Sequence, residues 1–187
     1  MLKRGFDLAI ALTAVLVLAP VIVAVAIAVR IDSPGPAIFW SQRVGRDSRL
    51  FAMPKFRTMR IGTPQLPTHL LTNGASHLTG IGGFLRRSSL DELPQLWSVL
   101  TGDMSLVGPR PALFNQDDLM TLRRAAGVDA LRPGITGWAQ VNGRDELELQ
   151  EKVRWEREYI DRASFMFDLR ILLMTLGAVA RRQGISH

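Results

Sequence analysis

The sequence contains no cysteine. That excludes disulfides and thiolate zinc sites, and it fits a reducing compartment. Histidine is almost as scarce, and His69, His77 and His187 are too scattered to suggest a metal site. No Walker-type phosphate loop and no dinucleotide glycine fingerprint occurs. No internal repeat is visible, so a solenoid is not expected. Charge is absent from two stretches, residues 8–29 and residues 61–83.

The first of these, LAIALTAVLVLAPVIVAVAIAV, is apolar throughout and carries Pro20 near its middle. As a helix it would be about 33 Å long, enough to cross a hydrocarbon core of about 30 Å. A cleaved signal peptide is disfavoured: Asp7 follows Lys3 and Arg4, the run is long, and no small-residue cleavage site precedes Arg30. Basic residues flank the run on both sides, whereas the positive-inside rule assigns such flanks to the cytoplasm. A helix broken at Pro20 that enters and leaves on one face satisfies both flanks. A single span with a mild kink is the alternative, and sequence physics leaves the two equal.

The remainder is large enough for one domain with its own core. The formal charge is +6 and the pI about 10.9. Arg30, Arg43, Arg46, Arg49, Lys55, Arg57 and Arg60 face only Asp32 and Asp47 between residues 30 and 60. Such a field attracts anionic lipid, phosphate-bearing ligands or nucleic acid. Short extended pieces are expected at 37–41 and 50–53 around the polar turn 45–48. The uncharged stretch 61–83 reads as a loop, with the length of a functional lid. Helices are expected from 91 to a stop at Gly102, over 113–127, from 146 to about 161, and from 165 to 182. The last has a broad apolar face that suits either the core or a membrane interface. Residues 132–145 read as turn-rich.

Asp91-Glu92 is the first chemical candidate. Ser89 to Glu92 fits a capping box, but Pro94 would then fall too deep in the helix. With Asp91 as the cap, Pro94 falls at the third helical position, where its missing donor costs nothing. A carboxylate pair at a helix start can supply a nucleophile and a ligand for a divalent metal. Arg86 and Arg87 precede it, and Gly108-Pro109-Arg110-Pro111 follows, with two prolines aiming Arg110. Guanidinium groups bind phosphate through paired hydrogen bonds. Lys55 and Arg57 alternate and would share one strand face. The rival reading is a non-catalytic, membrane-anchored protein with a basic binding surface.

KFRTM (55–59), RRSSLDELPQLWSVLTGDMSLVGPRP (86–111) and RPGITGWAQVNGR (132–144) together resemble the bacterial sugar transferase family. The likeness covers nearly the whole chain, and the size is similar to that of the small members that carry only the catalytic core. It implies an α+β, mostly helical fold: a re-entrant helix over 1–30, broken at Pro20, and a small cytoplasmic catalytic domain over 31–187 with interfacial amphipathic helices and a few short strands. It also implies an enzyme at the bacterial inner membrane, with its catalytic domain on the cytoplasmic face. The implied reaction is ping-pong and magnesium-dependent. A phosphosugar passes from a UDP-sugar to undecaprenyl phosphate, releasing UMP, as the first membrane step of a surface glycoconjugate pathway. Asp91 would be the nucleophile that carries the phosphosugar, and Glu92 would help it hold Mg²⁺. Arg110 would clamp phosphate, with Arg86, Lys55, Arg57 and Arg144 as further phosphate or nucleotide contacts. Membrane lipid is the implied partner rather than nucleic acid, and the apolar faces leave a homodimer open. One departure is that Ala19, not serine, precedes Pro20, so no hydroxyl is available to a carbonyl freed at the kink. The sugar is not legible, and stretch 61–83 is where specificity is expected to differ.

Overall fold

The computed structural model describes residues 2–64, 74–143 and 147–181. Its first element, α1 (Leu2–Asp32), is a single helix of 31 residues. Pro20 lies inside this element. Proline removes one donor and crowds the preceding turn, and a membrane helix can tolerate both. The helix is apolar and long enough to cross a membrane. Leu12, Leu16, Val17 and Val23 in its middle are exposed, whereas Asp7, Ala11, Val25 and Val29 towards its ends are buried.

Both ends of α1 are tied to the rest of the chain. Near the first, Lys3 Nζ lies 2.6 Å from Asp168 Oδ2 and donates to the Val107 carbonyl at 3.1 Å. Arg4 donates to the Val99 and Leu100 carbonyls at 2.7 and 3.2 Å, satisfying groups that a helix end leaves orphaned. Asp7 accepts from Ser105 Oγ at 2.7 Å. At the far end, Arg57 donates to Ser33 Oγ, the Ser33 carbonyl and the Pro36 carbonyl at 2.7, 2.8 and 2.7 Å.

The chain then forms an antiparallel hairpin, β1 (Ile38–Val44) and β2 (Leu50–Phe56), with Ser41 opposite Met53 and Arg43 opposite Phe51. Both strands outrun the expected pieces because cross-strand pairing extends them. The turn at 46–48 places Asp47 and Ser48 at φ of 55° and 59°. Within 61–83 the described parts include a 3₁₀ turn (Gly74–His77), an isolated antiparallel bridge from Leu78 to Met59 and the start of α2 (Gly82–Arg87). The middle of the lid expected there, residues 65–73, lies outside the described residues.

After α2 the chain departs from the helix expected at 91. Ser89 is left-handed at φ 56°, and residues 90–92 form a separate 3₁₀ turn. The α-helix itself, α3 (Gln95–Thr101), begins after Pro94, which occupies the cap position rather than the third helical one. Its missing N–H removes the donor that would have joined the two segments. Gly102, at φ 99°, ends α3 as expected.

Three strands went unforeseen. β3 (Ser105–Val107) pairs in parallel with β5 (Gly134–Thr136), and β4 (Ala112–Leu113) joins the free edge of β1. Each is too short to show a period-2 pattern. The remaining helices are α4 (Asp117–Ala125), α5 (Trp138–Val141), α6 (Leu149–Arg162) and α7 (Phe165–Arg181). The main core joins Met53, Val99, Met104, Val107, Phe167 and Ile171 to Ala11 of α1. A separate cluster packs Val25 and Val29 against Phe56 and Leu85. α7 therefore uses one face in the core, while Met166, Leu173 and Leu176 stay exposed.

Candidate active site

The 3₁₀ turn after left-handed Ser89 turns Asp91 and Glu92 towards β2. Lys55, near the end of β2, donates to Glu92 Oε1 at 2.7 Å and lies 3.9 Å from Asp91 Oδ2. Arg110 donates to the same Glu92 oxygen at 3.0 Å. Arg86 reaches from α2 to Thr58 Oγ1 at 3.1 Å, and its charge acts on Asp91. Asp91, Glu92, Lys55, Arg86 and Arg110 are thus brought together across a long stretch of sequence.

Their environment sets the carboxyls apart. Burial pushes the Asp91 carboxyl up. Lys55 pulls it back, the Glu92 charge pushes it further, and the result lies above the ordinary aspartate value. Burial also pushes Glu92 up, but the charges and hydrogen bonds of Lys55 and Arg110 overcome this and hold it well below the usual range. Glu92 is therefore an anion locked between two cations. Asp91, whose one ion-pair contact among the described residues is the longer one to Lys55, is the more basic and less exposed carboxylate. That division gives one acid a structural charge and leaves the other able to react.

Arg57 does not join this group. β2 ends at Phe56, so the strand face that Lys55 and Arg57 were expected to share does not extend to Arg57. Its guanidinium is buried and bonded to Ser33 and Pro36, where it secures the end of α1. Arg144 lies outside the described residues.

Arg43 is the site cation that sequence reasoning missed. It shares one face of the hairpin with Ser41, Met53 and Lys55 by strand register. Its Nε donates to Ser41 Oγ at 3.0 Å and its Nη1 to the Pro111 carbonyl at 3.2 Å. Burial, and then the nearby Arg110 charge, lower its pKa to about 10. Arg43, Met53, Lys55, Gln95, Arg110 and Pro111 line a small cavity open to solvent. In the sequence Arg43 was one of many basic residues, and only the β1–β2 register separates it from them.

The backbone that carries Arg110 is held along its length. Gly134 N donates to the Pro109 carbonyl at 2.8 Å, and Gly108 N to the Thr136 carbonyl at 2.9 Å. Arg123 Nη2 donates to the Arg110 carbonyl at 2.9 Å. Arg123 is itself fixed by a buried ion pair with Glu156. The two segments approach so closely that a Cβ on Gly134 or Gly137 would lie 2.1 or 2.0 Å from backbone atoms of Gly108. Residues 132–138 thus serve the site by gripping the Arg110 loop.

The arrangement suits a phosphorylated substrate: a reactive carboxylate, a fixed anion, and cations able to neutralise phosphate oxygens. Comparison with known proteins agrees. A family model described as bacterial sugar transferase matches residues 1–182. The UDP-glucose:undecaprenyl-phosphate glucose-1-phosphate transferase of Escherichia coli is 40% identical over 183 residues, covering 94% of this chain and 39% of that protein. The undecaprenyl-phosphate galactose phosphotransferase of Salmonella typhimurium is 36% identical over 201 residues, covering 98% and 41%. An uncharacterized sugar transferase of Bacillus subtilis is 39% identical over 186 residues, covering 100% and 91%. The chain therefore spans about two fifths of the first two relatives and nearly all of the third.

Proposed function

The chain belongs to the bacterial sugar transferase family, and on that premise we propose that it transfers a phosphosugar from a UDP-sugar to undecaprenyl phosphate, giving the lipid-linked diphosphosugar and UMP. The observation that carries this reading is the Asp91–Glu92 pair, its two carboxyls driven in opposite directions inside a ring formed by Lys55, Arg86 and Arg110. A carboxylate oxygen of Asp91 forms a bond to the β-phosphorus of the donor. The bond from that phosphorus to the bridging oxygen breaks, and its electron pair leaves with UMP. An oxygen of the lipid phosphate then attacks the same phosphorus, and the electron pair of the aspartyl–phosphate bond returns to Asp91. Neither displacement requires a proton, which suits a site rich in cations and without a described histidine. Glu92 takes no part in bond making. It holds Lys55 and Arg110 in place for the phosphate oxygens.

Magnesium is part of the proposal, and the residues fit it. Asp91 and Glu92 are adjacent hard-oxygen donors, and magnesium is commonly held by one or two carboxylates together with substrate phosphates and water. No group of three or more ligating side chains occurs among the described residues, so the diphosphate would complete such a site. When bound, the ion would neutralise charge on the donor diphosphate as UMP leaves.

The attachment of α1 at both ends supports a re-entrant helix. A spanning helix carries one end about 30 Å across the bilayer from the other. Lys3 and Arg4 at one end and Ser33 at the other are instead bonded to the same domain. The exposed apolar middle then enters lipid, with both basic flanks on the cytoplasmic face. The apolar outer face of α7 suits the same interface. The product would begin a surface glycan on its lipid carrier.

The test is UMP release from UDP-glucose, UDP-galactose and UDP-N-acetylglucosamine with undecaprenyl phosphate and Mg²⁺, beside Asp91→Asn. Release from at least one donor, lost in a folded Asp91→Asn protein, is expected. Release that survives in Asp91→Asn would refute the assignment of the nucleophile.

A further inference from the structure

Four cations, Arg43, Lys55, Arg86 and Arg110, gather around two carboxylates, Asp91 and Glu92. The group therefore carries an excess of positive charge. Arg43 accounts for the imbalance most directly. Among the described residues no carboxylate forms an ion pair with it, and its bonds go to neutral oxygens of Ser41 and Pro111. Among charged groups Arg110, another cation, acts on it most strongly, and the Glu92 carboxylate offsets this only in part. Partial burial of a guanidinium against a like charge is unfavourable unless an anion joins it. The two neutral bonds use only part of the donor fork, and the group lines a cavity together with Met53 and Gln95. Lys55 lines the same cavity and also reaches both Asp91 and Glu92.

We propose that this cavity is a phosphate subsite, defined by Arg43, that receives in turn the α-phosphate of the departing nucleotide and the phosphate of the lipid acceptor. The inference rests on the transfer reaction proposed above. Displacement at phosphorus is in line, so UMP leaves from the side opposite Asp91. The acceptor oxygen must enter opposite Asp91 as well, because it displaces that carboxylate from the same phosphorus. One position thus serves two phosphate monoesters alternately. Arg43 meets only the group that leaves or enters, whereas Lys55 reaches the carboxylate pair as well. No atom beyond those of the two balanced displacements is needed.

Full-length protein in lipid nanodiscs tests this with Arg43→Gln and Arg43→Lys. One arm measures the burst of UMP from a UDP-sugar without acceptor. The second adds undecaprenyl phosphate to the preformed adduct and measures its decay. UMP affinity is measured separately by calorimetry. For Arg43→Gln, UMP binding should weaken, and both arms should slow, by about tenfold or more, the scale of one charged hydrogen-bonding group. Arg43→Lys, which keeps the charge but loses the fork, should recover part of each loss. It also carries the test if the glutamine variant does not fold. Slowing of only one arm would overturn the shared subsite, as would wild-type behaviour in both. Wild-type protein that releases no UMP from any donor would instead overturn the function and the subsite with it.

Discussion

The buried pair between Arg123 and Glu156 links the stability of this protein to its chemistry. Their side chains are 6% and 2% exposed, so neither charge has water to fall back on. Arg123 Nε donates to Glu156 Oε2 at 2.8 Å, and its Nη2 also holds the Arg110 carbonyl. Replacing one partner, as in Arg123→Met or Glu156→Leu, leaves the other charge buried alone. That costs about 3–5 kcal/mol, which for a chain of this size corresponds to a fall in melting temperature of roughly 6–20 °C. The double variant removes both charges and should recover most of the loss, because apolar replacement of a buried pair is often neutral. Activity should not recover with it. The Arg110 carbonyl has lost its donor, so the loop drifts, and small displacements of a positioning group slow chemistry by about tenfold to a hundredfold. Thermal melts in detergent and single-turnover UMP release read the two effects separately. Single variants that melt with the wild type would refute the burial argument. A double variant with wild-type turnover would refute the link to Arg110.

Arg57→Met should destabilise the protein by about 2–4 kcal/mol, since it strips charged donors from Ser33 and Pro36; activity per folded molecule should be retained, whereas Arg110→Met should lose activity with little change in melting. Gly137→Ala should sharply lower the melting temperature, because the added carbon would sit 2.0 Å from the Gly108 carbonyl oxygen. The absence of native cysteine allows clean labelling of Gly5→Cys and Ile31→Cys, both at exposed positions. A membrane-impermeant maleimide should reach both from the same side of sealed vesicles, and opposite sides would refute the re-entrant reading.

Much of the site was legible because its chemistry is concentrated in short motifs. Asp91, Glu92, Arg86 and Arg110 lie within one stretch of sequence, and their residue types already suggested a carboxylate pair among phosphate-binding cations. Lys55 came from a separate motif, and the structure joins it to the others through Glu92. Arg57 shows the limit of motif reasoning. It stands two residues from Lys55 in the same motif, yet the strand ends between them and its guanidinium turns to α1. Arg43 shows the converse, since it stands in no motif that was singled out and reaches the site through strand pairing. The helix expected from 91 rests on an i, i+3, i+4 pattern, which does not reveal where the backbone turns. The backbone torsion of Ser89 and the missing donor of Pro94 divide it.

The amino-acid sequence alone determined the long apolar helix, the basic domain that follows it, the helix stop at Gly102 and the acidic pair. Each is a local property, set by hydropathy, by backbone freedom at glycine or by the chemistry of adjacent side chains. Tertiary structure alone decided that both ends of α1 attach to one domain, that residues 132–138 grip the Arg110 loop, and that Arg43 belongs to the site. It also decided which carboxyl is locked and which is raised. Those outcomes depend on burial and on distances between segments far apart in the chain. Charge interactions vary steeply with both, and neither can be read from spacing along the sequence.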